Sequence, residues 1–204
     1  MIPILAVQNV DAACDQLVEV FGFARIEAGL LAFGDQQVFV AKAGALPEGS
    51  VAQGLDHLAL RVPDVDGLQA RVTRAGGVVS QQFTPDGPRE IAAFWGGVRF
   101  VFFDGPEGWP IEFCMRRDGS ITEQGHDHYG IRCVDVAQTA ADLAQKFAPT
   151  QVAAVHLLAG TPPVDVRFLA AGAQMFELFD EPQVRAPQAG AGWVGFLPVE
   201  TARA

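Results

Sequence analysis

The sequence is poor in charge and in cysteine, and each shortage excludes some classes of protein. Only 19% of the 204 residues are charged, and acidic residues outnumber basic ones, so the net charge is −10. An acidic surface repels phosphate backbones, which argues against nucleic acid as a partner. The three cysteines, Cys14, Cys114 and Cys133, are widely spaced and form no CxxC pair. They predict reduced, buried thiols rather than a disulfide framework or a thiolate zinc site.

Long apolar runs and targeting signals are also missing from the sequence. No stretch approaches 18 apolar residues without a charge, so no membrane-spanning helix is expected. The segment from Met1 to Leu5 has neither a basic region nor a cleavage-site pattern, which favours a cytoplasmic protein. Half of the residues are hydrophobic, which is enough for a sizeable core.

An internal repeat is the most informative feature that the sequence does contain. The stretch GLDHLALRVPDVDGLQA at 54–70 matches GHDHYGIRCVDVAQTAA at 125–141 without a gap, 71 residues later. The ends of the two copies correspond as well, Val98-Arg99-Phe100 with Val166-Arg167-Phe168 and Ile111-Glu112-Phe113 with Phe176-Glu177-Leu178. A fainter copy opens the chain, where Ile2 and Phe39 stand at the positions that correspond to His57 and Glu112. A repeat of this length indicates one structural unit used several times.

Each copy predicts the same order of secondary structure. An alternating apolar strand precedes an N-cap residue (Asn9, Asp64 or Asp135), a helix of about a dozen residues and three short strands. The fold class is therefore α+β, with three βαβββ modules. The expected boundaries are 1–43, 54–116 and 126–180 for modules one to three, and 181–204 for a C-terminal tail. Within that tail, 192–197 is expected to form a late strand or a packing arm.

Two histidines and two glutamates occupy equivalent positions in modules two and three. Because a strand alternates its side chains, His57 and Glu112 should share one face of module two, and His128 and Glu177 the same face of module three. A pseudo-two-fold pairing of the modules would bring four ligands to one centre. Imidazole and carboxylate suit Zn²⁺, Ni²⁺, Co²⁺, Fe²⁺ or Mn²⁺, and suit Ca²⁺ poorly. A vestigial structural repeat is the competing interpretation, but burying unpartnered carboxylates in apolar strands is costly.

Several other polar residues lie beside these four and need an interpretation. His126 is expected at the entry of a strand rather than as a ligand, although it is the obvious substitute for one. Asp56 and Asp127 lie on the opposite face from the histidines and are expected to shape turns or support the site. Arg61 and Arg132 could hold an anionic substrate group, and an ordinary ion pair is an equally good interpretation.

Two motifs, DHLALRVPDV at 56–65 and FFDGPEGWPIE at 102–112, resemble those of a known superfamily. This is the vicinal oxygen chelate superfamily, which includes glyoxalase I, bleomycin-resistance proteins and extradiol dioxygenases. The resemblance extends over 1–180 and is strongest over 54–116. It implies paired modules that form a U-shaped cup around a divalent metal. Members usually have an even number of modules, so module one should pair with another chain, giving a homodimer, or pack on module two.

The predicted set of two histidines and two glutamates resembles that of glyoxalase I and methylmalonyl-CoA epimerase. It implies a lyase or isomerase that moves a proton beside a chelated carbonyl of a small-molecule substrate, with Glu177 as base and Glu112 as its counterpart. Extradiol dioxygenases leave the fourth position open, and Glu112 fills it here. A non-catalytic protein that binds a small molecule such as an antibiotic is the third alternative. Trp95, Trp109 and Phe113 could line its cup, although such residues are more often core.

Overall fold

The secondary structure follows the predicted repeat in a computed structural model that describes residues 1–44, 46–157, 164–180 and 190–198. The first segment contains β1 (Ile2–Val7), α1 (Val10–Glu19), β2 (Ala24–Glu27), β3 (Leu30–Phe33), β4 (Gln36–Lys42) and the short β5 (Val51–Ala52). The second contains β6 (His57–Arg61), α2 (Val65–Arg74), β7 (Val78–Val79), β8 (Arg89–Ile91), β9 (Val98–Asp104) and β10 (Pro110–Arg116). The third contains β11 (Gly125–Cys133), α3 (Val136–Phe147), β12 (Thr150–Leu157), β13 (Val164–Ala171) and β14 (Gln174–Asp180), and β15 (Gly192–Leu197) follows.

The three α-helices within the described residues begin where the sequence places their N-caps. The side chains of Asn9, Asp64 and Asp135 each accept a hydrogen bond from a backbone N–H three residues later. A cap of this kind satisfies one of the amide groups that have no partner in the first helical turn. The α+β class predicted from the sequence is confirmed.

The described strands form two sheets. The larger has the order β12-β13-β14-β11-β6-β10-β9-β7, with β8 also paired to β9. Its centre is the antiparallel pair β6–β11, which joins the second and third segments. The smaller sheet has the order β2-β3-β4-β1-β15-β5. We call them the large sheet and the small sheet.

The strand register repeats in all three segments. In the second, Ala59 lies beside Glu112 on the parallel pair β6–β10. In the third, Gly130 lies beside Glu177 on β11–β14. Ala59 and Gly130 each come two residues after the histidine of their strand. The repeat found in the sequence therefore corresponds to a repeat in backbone pairing, and it aligns the two His/Glu pairs.

Because side chains alternate along each strand, the large sheet has two chemically different faces. The face covered by the helices is apolar, and Leu58, Phe113 and Phe176 on it are fully buried in the main core. The residues one step away along each strand, which include His57, Glu112 and Glu177, project from the opposite face. Burial of the apolar face fixes the register of each strand, because a slip by one residue would exchange the two faces.

The small sheet packs on the second segment and is completed by the C-terminal strand. β15 pairs antiparallel with β1, so the predicted late strand is present. The ring of Phe33 lies 5.6 Å from that of Phe113, centroid to centroid, and Trp193 Nε1 donates to the carbonyl oxygen of Pro110 at 3.0 Å. Of the two arrangements expected for module one, packing on module two is the one present within this chain.

The small sheet has apolar residues where the large sheet has its charged cluster. Ile4 lies beside Phe39 on β1–β4, in the register of Ala59 and Glu112. Ile2, at the position equivalent to His57, belongs with Phe39 to a second apolar cluster. The first segment thus repeats the backbone arrangement without the polar side chains.

Candidate metal centre

The four predicted ligands converge in the middle of the large sheet. Nε2 of His57 lies 3.2 Å from Oε2 of Glu112 and 3.6 Å from Oε2 of Glu177. Nε2 of His128 lies 3.2 Å from each of these two oxygens. The two Nε2 atoms are 3.3 Å apart, and one ligand atom from each residue lies within 4.8 Å of all the others.

These spacings are of the size that a shared metal ion requires. Atoms bound at about 2.1 Å to one ion lie about 3.0 to 3.4 Å apart in octahedral or tetrahedral geometry. The separations of 3.2 to 3.6 Å between these nitrogen and oxygen atoms are close to this interval. Two carboxylates also balance the charge of a divalent ion, and nitrogen with oxygen donors suits a transition metal. The donor set therefore fits the implied metal in both geometry and charge.

Each histidine is oriented by the aspartate that precedes it. Oδ2 of Asp56 lies 3.1 Å from Nδ1 of His57, and Oδ1 of Asp127 lies 2.8 Å from Nδ1 of His128. A carboxylate at Nδ1 holds a hydrogen on that nitrogen and directs the lone pair of Nε2 to the centre. The two aspartates thus give both imidazoles the tautomer that a metal ligand needs.

Each of these aspartates accepts a hydrogen bond from an arginine of the other segment. Arg132 Nε on β11 donates to Oδ1 of Asp56 at 2.8 Å, and Arg116 Nη2 on β10 donates to Oδ2 of Asp127 at 3.2 Å. Each arginine therefore belongs to the segment opposite to the aspartate that it binds. The orientation of each histidine depends on both halves of the large sheet.

The carboxylates make the centre favourable for positive charge. Burial alone lowers the pKa of His57, but hydrogen bonds to Asp56 and Glu112 outweigh burial and raise this pKa to about 9. Burial raises the pKa of Glu112, but hydrogen bonds from His128 and His57 lower it to about 2. Both net shifts stabilise charged forms of deeply buried groups, which requires strong local compensation. The carboxylates that cause these shifts would also stabilise a cation placed between them.

Glu177 differs from Glu112 in its exposure. The side chain of Glu177 is 19% exposed and that of Glu112 is 8% exposed. Glu177 also makes the longest of the four histidine–carboxylate contacts. It is therefore the carboxylate with more freedom to move and better access to a bound molecule.

Two cavities lined by described residues reach the cluster, and Glu177 lines both. The first has a volume of about 110 Å³ and also meets Glu112 and His128. The second has a volume of about 190 Å³ and meets Asp56 and His57. Their other described walls are mostly aromatic and aliphatic, and they include Phe83, Phe94, Trp95, Phe100, Phe102, Leu157, Phe168 and Phe179.

Other protein groups engage His126, Arg61 and Arg132. Nδ1 of His126 lies 2.6 Å from Oε1 of Gln36, and its Nε2 accepts from the N–H of Met175 at 3.0 Å, so His126 is not in the cluster. Arg61 forms an ion pair with Asp35 at 2.6 Å. With Arg132 bound to an aspartate as well, the ion-pair interpretation is the one that the structure supports for both arginines.

Of the three aromatic residues that the sequence left open between cup and core, one lines a cavity and two belong to the core. Trp95 lines the first cavity, but Phe113 is fully buried in the main core and Trp109 packs against it. Sequence reasoning missed Phe100 and Phe168, which both line the first cavity. A signal existed, because these two residues occupy equivalent positions in the repeat.

The chain is similar in sequence to one described family. The model of the Glyoxalase/Bleomycin resistance protein/Dioxygenase superfamily matches residues 3–113, which is more than half of the chain. The match includes His57 and Glu112 and ends before His128 and Glu177. No curated protein matches the sequence. No helix in the described ranges has both the length and the apolar character needed to cross a membrane.

Solved structures with the same fold share little sequence with this chain. Glyoxalase I from Zea mays is 15% identical, with a TM-score of 0.64, and the match covers 94% of this chain and 70% of that one. A mutant of 4-hydroxymandelate synthase from Streptomyces coelicolor is 12% identical, with a TM-score of 0.55 and coverages of 93% and 72%. At these identities the likeness concerns the fold alone, and it confirms the type of α+β fold that the sequence motifs predict.

Proposed function

The chain belongs to the Glyoxalase/Bleomycin resistance protein/Dioxygenase superfamily, and on that premise we propose that it is a divalent-metal-dependent lyase or isomerase of the glyoxalase I type. Its proposed substrate is a small carbonyl compound with two vicinal oxygens. The convergence of His57, Glu112, His128 and Glu177, with spacings near those of atoms that share one ion, is the observation that carries the proposal. We propose Zn²⁺, Ni²⁺, Co²⁺, Fe²⁺ or Mn²⁺ as the cofactor.

The four residues would bind the ion through the two Nε2 atoms and one oxygen of each glutamate. When bound, the metal supplies Lewis-acid stabilisation for the negative charge that develops on the substrate oxygens. Asp56 and Asp127 hold the imidazoles in the required orientation. The apolar walls of the two cavities exclude water from the reacting carbon, which strengthens the electrostatic interactions there.

Glu177 is the proposed general base. Its carboxylate takes the proton from the carbon beside the carbonyl, and the electrons of that C–H bond move towards the carbonyl. Glu177 then returns the proton to the former carbonyl carbon, while the hydroxyl proton of the first carbon passes to the oxygen of the former carbonyl, so the net change is an isomerisation that needs no oxidant or reductant. Its greater exposure and its position between the two cavities support this role over Glu112, which we propose as the second, more fixed carboxylate of the pair.

Ring cleavage by a dioxygenase fits the site less well. Such a reaction needs a metal held by two histidines and one carboxylate, with open positions for oxygen and for the diol. Glu112 is buried, and its Oε2 lies 3.2 Å from both histidines. This oxygen therefore occupies a position that the dioxygenase would leave free.

Proton exchange tests the proposal directly. The purified chain is loaded separately with each of the five metals and incubated in D₂O with a panel of hemithioacetals and 2-oxoacyl thioesters. We expect NMR to show metal-dependent loss of the signal of the hydrogen beside the carbonyl for at least one substrate. Oxygen uptake with catechols is measured in parallel.

The outcomes separate the candidate functions. Exchange without oxygen uptake supports the isomerase or lyase. Oxygen uptake with Fe²⁺ or Mn²⁺ and no exchange would replace it with a dioxygenase. The absence of both activities with every metal would leave a binding protein as the better description of this chain.

A further inference from the structure

Aromatic side chains are concentrated around the candidate centre. Six of the fifteen phenylalanines line one or both of the cavities that reach it, together with Trp95. Several of these rings, including Phe94, Trp95 and Phe100, are only partly buried. A partly exposed apolar surface around a cavity marks a site for an apolar ligand.

Two of these rings lie directly against the histidines of the cluster, and two others pack on one of them. The ring of Phe102 lies 5.0 Å from that of His57, and the ring of Phe168 lies 5.5 Å from that of His128. Trp95 and Phe94 pack edge-on against Phe168 at 5.0 and 4.9 Å. A molecule that chelates an ion between the histidines would therefore place its adjoining substituent among these rings.

The chain holds Trp95 in this wall at a conformational cost. Its φ is 45°, a value that residues with a side chain rarely adopt. The carbonyl of Trp95 accepts from the N–H of Asp118 at 3.0 Å, and the guanidinium of Arg116 lies 4.1 Å from the centre of the indole. These contacts fix the indole at the edge of the first cavity, where it can contact a flat group.

Charged groups at the cavities disfavour an anionic substituent. Arg116 is the one arginine or lysine among the described lining residues of both cavities, and it is already paired with Asp127. The first cavity, of about 110 Å³, is somewhat smaller than an apolar cavity of about 150 Å³ that accepts one benzene molecule, and it opens outward. The space next to the centre thus suits a single ring better than a charged, peptide-like tail.

We infer that the substrate carries a neutral aromatic ring next to the two oxygens that chelate the metal, as in an aryl-substituted 2-oxo or 2-hydroxy carbonyl compound. The inference rests on the proposed function for the chelating oxygens. The side chains that would contact the ring do not depend on a bound metal for this contact. Phe94, Trp95 and Phe100 are the residues that determine this specificity.

Hydroxamates test the inference because they present two vicinal oxygens with different substituents. Benzohydroxamate, acetohydroxamate and succinic monohydroxamate are titrated into the full chain by calorimetry, with Zn²⁺ and again after treatment with a chelator. We expect the phenyl compound to bind at least tenfold more tightly than the methyl compound, and the carboxylated compound to bind most weakly. Trp95→Gly, which permits the positive φ, should reduce the ratio of phenyl to methyl affinity.

A matched substitution separates this effect from general damage to the fold. Phe39→Leu removes a ring from the apolar cluster of the small sheet, and it should leave the preference intact. Equal affinities for the phenyl and methyl compounds, or the tightest binding by the carboxylated compound, would overturn the inference. A preference for phenyl without any proton exchange would keep the inferred ligand class and remove only the proposed reaction.

Discussion

Gly130 lies directly opposite His57 across the antiparallel pair β6–β11. A Cβ atom at Gly130 would come within 2.0 Å of Cε1 of the imidazole and within 2.4 Å of both ring nitrogens. No side chain at this position is compatible with the observed place of the histidine. The equivalent residue of the second segment is Ala59, which lies opposite His128.

Gly130→Ala should therefore displace the imidazole of His57 and weaken metal binding by about tenfold to a hundredfold, the range found when a ligand loses its orientation. Competition with a chromophoric chelator measures the affinity. Gly54→Ala is the control, because a Cβ there has no neighbour within 4 Å. Unchanged affinity in Gly130→Ala would show that His57 does not bind the metal in the observed position.

The aspartates behind the histidines should matter for metal affinity rather than for folding alone. We expect Asp56→Asn and Asp127→Asn each to weaken Co²⁺ binding by about tenfold to a hundredfold and to change the visible spectrum of bound Co²⁺. Asp66→Asn is a matched control, because it breaks the exposed Asp66–Arg99 ion pair. Identical spectra for the wild type and both variants would contradict the proposed support of the ligands.

Glu177→Gln should separate catalysis from metal binding. Gln retains an oxygen donor but cannot act as a base at neutral pH, so proton exchange should fall by about a hundredfold or more. Metal content, measured by atomic emission, should fall much less. Glu19→Gln, at an exposed position of α1, should change neither quantity. Retention of full exchange by Glu177→Gln would transfer the role of base to Glu112.

The contacts of Asp35 predict that the interaction between the small sheet and β11 depends on pH. Burial raises the pKa of Asp35, but hydrogen bonds from the His126 N–H and from Arg61 outweigh burial and hold the pKa below its ordinary value. A lowered pKa in the folded state contributes stability above the ordinary value of about 4, and this contribution disappears as the pH falls through the lowered value.

The stability difference between the wild type and Asp35→Asn should therefore be largest near pH 6 and shrink as the pH falls to about 3. Urea unfolding with a chelator present measures the free energy at each pH. Asp86→Asn, at an exposed loop position, provides the reference. A difference that grows as the pH falls would have the wrong sign for this linkage.

The C-terminal strand should be essential to the stability of the chain. Phe196 is 1% exposed, and its ring lies 4.8 Å from that of Tyr129 and 6.0 Å from that of Phe176. Removing a ring of this kind costs about 3 to 5 kcal/mol of unfolding free energy. Phe196→Ala should show a loss of this size in urea unfolding, whereas a loss below about 1 kcal/mol would mean that β15 is only loosely attached.

Local patterns were sufficient to predict the repeating part of the fold. Alternating apolar residues and the caps at Asn9, Asp64 and Asp135 determine where strands and helices begin. The equivalence of His57 with His128, and of Glu112 with Glu177, predicted that the four would converge. Their convergence follows from the register of parallel pairs within each segment and of β6 with β11 between them.

The contacts that join distant segments could not be predicted in the same way. The pairing of β15 with β1 and the reach of Arg116 to Asp127 depend on tertiary packing, which leaves no period in the sequence. Trp109 and Phe113 were left open between the cup and the core, because aromatic residues serve both cores and binding sites. Only the face of the strand or turn on which a ring lies decides between the two.

The four candidate ligands come from both halves of the large sheet, and this arrangement has a thermodynamic consequence. A cation held by ligands from both halves binds only when β6 and β11 are joined, so its binding free energy also opposes their separation. At a concentration one hundred times the dissociation constant, this amounts to about 2.7 kcal/mol. Any change that loosens the β6–β11 pair should therefore also lower the affinity for the ion. The ion would stabilise the fold as well as take part in the reaction.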